Sequence, residues 1–185
     1  AIDNGGQLEL INSTVTGNTV VAGAAVVNQG TLSMIGNTVA DNSGAGLSGP
    51  GAYSLSATIV AGHPGGNCEH TVTSLGSNLE DQDSCGLQPA MDDLFAVDPL
   101  LLDLRSTGGK TPTRRLAPES PALDSGPTVG CLDTDQRGFV RPADGNDDGG
   151  AVCDRGAVEM QPGERPMFSD GFESGNTGQW TVTRG

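Results

Sequence analysis

Basic residues are the most conspicuous shortage. No lysine or arginine precedes Arg105, and 23 acidic against 9 basic side chains leave a formal net charge of -14. A surface of that sign repels nucleic-acid phosphates and anionic lipid, so neither is an expected partner. Aromatics make up only 3% of the chain, which excludes a core built on large rings. No apolar run approaches the roughly 18 residues that cross a bilayer, so no membrane insertion is expected of this segment. The 4 cysteines show no C-x-x-C spacing, which argues against a zinc ribbon or a dithiol redox site. G-x-S-x-G, H-E-x-x-H, P-loop and dinucleotide-binding patterns do not occur in a chemically useful setting. An initiator methionine and a charged apolar leader are also missing, and the chain reads as the C-terminal part of something longer.

What is present is repetition. Placing Gly6, Gly30 and Gly51 in register aligns Leu8, Leu32 and Tyr53, then Leu10, Met34 and Leu55, then Val15, Val39 and Val60. Ile2, Val26 and Leu47 occupy equivalent places ahead of each glycine. Short β-prone runs recurring between Gly, Asn and Asp corners describe a solenoid whose units bury their apolar faces only by stacking. Three strands and three corners per unit predict an all-β, right-handed parallel β-helix, the hand following from the dominance of right-handed crossovers. The run Ala22-Gly23-Ala24-Ala25 suits a narrow core. At the corners Asn18, Asn42 and His63 align, as do Asn4 and Asn28. Asn tolerates left-handed backbone, and its amide reaches the equivalent group one coil away.

The coils account for residues 1–62. Residues 63–130 read as degenerate coils and loops closing the solenoid, with a strand around Leu75 to Leu79. Segments 94–104 and 112–125 are expected to cover its open end, where backbone groups are otherwise unpaired. Residues 131–160 form a Cys-bounded, Asp/Gly-rich cap, and 161–185 a linker or tail. The cysteines fall into two local pairs, Cys68 with Cys85 and Cys131 with Cys153. Two disulfides in an exported protein fit that spacing, each restricting the unfolded chain by about 3 kcal/mol in the loop-entropy account.

Between residues 75 and 159 an ordered set of segments carries a resemblance: Gly76-Ser77-Asn78-Leu79, Val97-Asp98-Pro99-Leu100-Leu101, Gly108-Gly109-Lys110-Thr111-Pro112-Thr113, Ser120-Pro121-Ala122-Leu123-Asp124-Ser125-Gly126, Thr134-Asp135-Gln136-Arg137-Gly138, Arg141-Pro142 and Cys153-Asp154-Arg155-Gly156-Ala157-Val158-Glu159. Together they resemble the choice-of-anchor Q domain, which ends bacterial secreted and surface proteins built on right-handed parallel β-helix repeats. The Asn-Ser-Thr-Val-Thr-Gly-Asn at residues 12–18 resembles the repeats that precede that domain. The resemblance implies export and surface display, and it carries no catalytic residue with it. Phe168 to Asn176, followed by Trp180, is similar to a short segment near the C-termini of exported bacterial proteins; it also suits the first strand of a further β-sandwich.

Several groups are candidates for chemistry. Asp144, Asn146 and Asp148 stand in the D-x-[DN]-x-[DN]-G order that wraps calcium, with Asp154 or Glu159 available to complete a loop. The twelfth position is Arg155, and Gly/Pro-rich flanks supply no EF-hand helices; the bland alternative is a solvated Asp/Gly turn. Cys68, His70 and Cys85 admit a zinc reading, opposed by the disulfide. Asp92 with Asp93, and Asp133 with Asp135, are the carboxylate pairs a glycoside hydrolase needs. Asp133 and Asp135 share a face if their segment is a strand, and a structural Asp135–Arg137 pair is the ordinary alternative. Arg105, Lys110, Arg114 and Arg115 form the one basic cluster, suited to a groove for an anionic glycan or to offsetting nearby acids.

These readings favour a non-catalytic structural or adhesive module, secreted or at the cell surface, with a surface glycan or another cell-surface protein as partner. The rivals are the C-terminal part of a carbohydrate-active β-helix enzyme, a polysaccharide lyase or a glycoside hydrolase, and a glycan-binding β-helix. β-Helices host all three activities.

Overall fold

In the structure, a computed structural model that describes residues 1–19 and 23–164, the aligned leucines and valines stand directly above one another. The first coil contains β1 (Ile2–Asn4), β2 (Gln7–Ile11) and β3 (Thr14–Thr16). The second contains β4 (Ala24–Asn28), β5 (Thr31–Ile35) and β6 (Thr38–Ala40), and the third β7 (Ala45–Ser48), β8 (Ala52–Ser56) and β9 (Ile59–Ala61). A fourth coil runs through a single bridge at Cys68 to β10 (Thr73–Ser74) and β11 (Leu79–Glu80). All pairings between these strands are parallel, giving three walls in the orders β1-β4-β7, β10-β8-β5-β2 and β11-β9-β6-β3. The register pairs Leu8 with Leu32 and Leu32 with Tyr53, Leu10 with Met34 and Met34 with Leu55, and Val15 with Val39 and Val39 with Val60. The chain is therefore an all-β parallel solenoid. Ala22 and the Phe168 to Trp180 segment lie outside the described residues. The expected strand at Leu75 to Leu79 is instead split into β10 and β11, with Leu75 outside both and 57% exposed.

Burial separates the walls. Along β5 and β8 buried and partly exposed positions alternate, the pattern of a strand with one face in the core. Along β6 and β9 every residue is buried. Val39 and Val60 belong to the inner cluster with Leu32, Met34, Leu47 and Leu55. Ile59 and Ala61 face outward into a second cluster with Leu79, Leu116, Ala122, Leu123 and Met160, against which Leu94 and Leu101 pack.

That second cluster divides the expected cover in two. Leu101, Leu116, Ala122 and Leu123 lie on the outer face of the β3-β6-β9-β11 wall, where Ile59 and Ala61 supply an apolar surface. The open upper end is covered by the start of segment 94–104, where Leu94 bridges Leu79 in parallel and Phe95 packs on the inner cluster, together with the first disulfide loop, from which Cys68, Val72, Cys85 and Leu87 meet the same cluster. Glu80 braces this loop, accepting hydrogen bonds from the Ser84 and Cys85 amides at 3.1 and 3.0 Å.

The amide ladders form as the sequence suggests. Asn4 Nδ2 donates to Asn28 Oδ1 at 2.8 Å, and Asn18 Nδ2 to Asn42 Oδ1 at 2.8 Å. Between the second and third walls runs a further column that the repeat alignment passes over. Asn12, Gly36, Ala57, Ser77 and Asp92 are all left-handed, with φ of 45°, 61°, 49°, 56° and 57°. Each precedes a polar residue that binds across coils. Asn37 Oδ1 accepts from the Ser13 amide, Asn78 Oδ1 from the Thr58 amide, and Asp93 Oδ1 from the Asn78 amide, at 2.9–3.0 Å.

Candidate functional site

Residues 131–160 run as a strap beside this left-handed column and touch coil after coil. At the lowest, Asn12 Nδ2 donates to Thr134 O and Thr14 Oγ1 to Gln136 Oε1. Higher up, the Ala157 amide donates to Thr38 Oγ1 at 3.0 Å and the Gly156 amide to Ala57 O at 2.7 Å. At the top Arg155 Nη1 donates to Asn78 O and Asp92 O at 2.9 and 2.6 Å. The Cys131–Cys153 disulfide closes the strap on itself.

The interior of the strap is ionic. Asp135 and Arg137 are paired at 2.8 Å with both side chains fully buried. Arg137 also meets Glu164 at 2.7 Å and lies over the Phe139 ring, 4.4 Å from its centroid. Arg141 pairs with Glu159 at 3.0 Å and donates to the carbonyls of Asp154 and Gly156. Glu159 accepts the Asp154 and Ala143 amides at 2.9 and 2.8 Å, and Asp135 accepts the Glu159 amide at 3.0 Å. Asp154 accepts the Asp124 and Met160 amides at 2.7 and 2.6 Å. Burial and then the neighbouring Glu159 hold the Asp154 carboxyl up to about 8. Burial likewise raises Glu159, with Arg141 opposing it, and lowers Arg141. Burial alone would lower Arg137, but Glu164 and Asp135 more than offset it and keep that guanidinium above its usual value.

The arrangement explains several candidates. Asp135 is the buried partner of Arg137, whereas Asp133 is exposed, so the two do not share a face and form no carboxylate pair. Asp93 is buried in the corner ladder, bound by the Asn78 and Gln88 amides, while Asp92 holds Arg155 at 3.3 Å. Cys68 and Cys85 are joined, with Cα atoms 4.9 Å apart, so the pair is a disulfide with His70 exposed nearby. His63 takes the place of a corner asparagine, 3.1 Å from Asn42 Nδ2.

The candidate calcium residues divide into two groups. Asp144 accepts the Asp148 and Gly149 amides, Asn146 Oδ1 the Asp148 amide, and Asp148 the Gly150 amide, all at 2.9–3.1 Å. These are side chains capping their own turn. Asp154 is only 1% exposed and engaged inside the strap. Among the described residues no three His, Cys, Asp or Glu side chains are arranged to hold a metal.

The basic cluster is also dispersed. Arg114 forms an ion pair with Asp41 and donates to Leu102 O, and Arg115 faces Glu164 at 3.4 Å. Arg105 and Lys110 are exposed on the antiparallel excursion between the Leu101–Leu116 and Arg105–Thr113 bridges. Two clefts lie along this excursion. One, of about 520 Å³, is lined by Asp41, Asp81, Asp98 and Arg114. The other, of about 590 Å³, presents Asn12, Ser13, Thr14, Thr111 and Gln136 beside Leu104.

The residues that sequence reasoning missed are Glu159 as the centre of the strap and the left-handed column beneath it. The signal for the column was available in the polar residues Ser13, Asn37, Thr58, Asn78 and Asp93, each following a corner. Compared with family models, with curated proteins and with solved structures, the chain finds no match.

Proposed function

We propose that the chain is a non-catalytic structural or adhesive module of a secreted or surface-displayed bacterial β-helix protein. One observation carries this reading. Asp135, Arg137, Arg141, Asp154, Arg155 and Glu159, the charged residues of the last three segments that resemble a choice-of-anchor Q domain, are buried and engaged with one another or with backbone. Carboxylates held in this way fasten the strap and are closed to a substrate. The two disulfides suit an oxidising compartment, which supports export. A surface glycan is the favoured partner class, since the larger cleft offers hydroxyls and amides without a charged lining residue.

Incubating the chain with neutral and uronate polysaccharides tests the reading. We expect no new reducing ends and no unsaturated products, with retention on some of these polymers. Depolymerisation abolished by substituting an acid or base of this chain would overturn the proposal in favour of a carbohydrate-active enzyme.

A further inference from the structure

His63 stands in the middle of a hydrogen-bond ladder whose direction is fixed at both ends. Asn42 Oδ1 accepts the Asn18 backbone amide at 3.0 Å, and Asn42 Nδ2 donates to the carbonyls of Val15 and Ala40 at 3.1 and 3.2 Å. Backbone groups have unambiguous polarity, so the Asn42 amide has one orientation and presents its NH₂ to His63 Nε2 at 3.1 Å. Nε2 is therefore an acceptor, and Nδ1 carries the proton it donates to Asn67 Oδ1 at 3.1 Å. Asn67 is oriented in turn by donating its amide to Asp81 Oδ1 at 2.8 Å and to Glu80 Oε2 at 3.4 Å. The ring is 2% exposed.

Among the described residues a second proton on this imidazole has no acceptor. It faces the Asn42 NH₂, and turning that amide over would set donors against the Asn18 amide and oxygen against the Val15 and Ala40 carbonyls. The equivalent rungs of the lower coils, Asn18 and Asn42, do not titrate in this range. We propose that His63 is a proton-sensitive rung, so that mild acid breaks the ladder and loosens the turn at residues 62–67 that carries the chain into the fourth coil. The charged groups around it are Asp81, which favours the imidazolium, Glu80 behind Asn67, and Asp41 beside Gly62. Burial outweighs them and lowers the affinity of the ring for its second proton. A histidine held neutral by folding binds more protons when unfolded, so its contribution is present above the unfolded value of about 6.5 and is lost as pH falls toward the lower folded value.

Long-range ¹H–¹⁵N NMR on the intact chain reads both parts of the proposal, with the exposed His70, the other of the 2 histidines, as internal reference. We expect the Nδ1–H tautomer and a His63 midpoint below about 6.5. We also expect a lower protection factor, relative to the intrinsic exchange rate at each pH, for the Leu47 amide, which donates to Asn67 O at 2.8 Å, below that midpoint. Between about pH 8 and pH 5 the melting temperature of His63→Asn should fall less than that of the wild type. An Nε2–H tautomer, a midpoint at or above the ordinary value, or equal pH slopes in the two proteins would overturn the proposal. The NMR titration decides the matter even if His63→Asn does not fold.

Discussion

Asn78 shows how much one corner residue carries. Its Oδ1 accepts the Thr58 amide at 3.0 Å, and its Nδ2 donates to Leu55 O at 3.0 Å, all of this in fully buried surroundings. Truncation to alanine leaves the Thr58 N–H without its partner, while Leu55 O keeps the Leu75 amide at 2.7 Å. Asn78→Ala is expected to destabilise the fold by about 1–3 kcal/mol, the cost of that buried unpaired donor, measured by equilibrium denaturation. An Asn on an exposed turn costs a few tenths at most. Legibility at this scale is uneven. Asn18, Asn42 and His63 were visible because they recur beside aligned valines, whereas Asn37, Thr58, Asn78 and Asp93 differ in side-chain type. Their common property is the left-handed residue before each, and Asn12, Ala57 and Ser77 do not announce that conformation as glycine does.

Among elements, the strap and the β6-β9 surface form a matched pair. Gly156 lies at the contact with φ of 93°, and a methyl there would stand 2.8 Å from Ile59 Cδ1 and 2.8 Å from Thr38 Oγ1. Gly156→Ala combines strained backbone with overpacking. A loss of about 2–4 kcal/mol is expected, with hydrogen exchange quickening first in the strap. The placement of this element was not legible. Alternation along β5 and β8 reads directly as one face in and one out, but Thr38-Val39-Ala40 and Ile59-Val60-Ala61 carry small or apolar residues on both faces. That pattern states that both faces are covered without naming what covers them. The Cys-bounded segment was expected as a cap, and its lateral position follows from Ala157, Gly156 and Arg155 reaching Thr38, Ala57 and Asp92, contacts that no local pattern encodes.

For the whole molecule, the division of labour is between a stacked scaffold and a fastening that runs across it. The inner cluster of Leu32, Met34, Leu47 and Leu55 makes the solenoid, and the second cluster with the ionic strap ties its coils together along one side. Fold class was legible because stacking forces the same residue type to return at the same place in each coil. The candidate site was less so, because Asp135, Asp154 and Glu159, which sequence offers for chemistry, are already engaged inside the strap. Buried ion pairs are weak stabilisers when complete and severe liabilities when broken, which makes them a sensitive handle on this account.

Glu159→Gln offers the most direct test. The carboxylate accepts Asp154 and Ala143 amides and pairs with Arg141, so an amide NH₂ in its place must oppose a donor whichever way it turns. If these residues exist to fasten the strap, the substitution should destabilise by about 3–5 kcal/mol. Amides of Thr38 and Ile59, under the strap, should lose exchange protection before those of Leu32 and Met34. Unchanged stability and protection, with loss of a ligand-binding or catalytic property instead, would show that the strap's charges serve chemistry and would contradict the account.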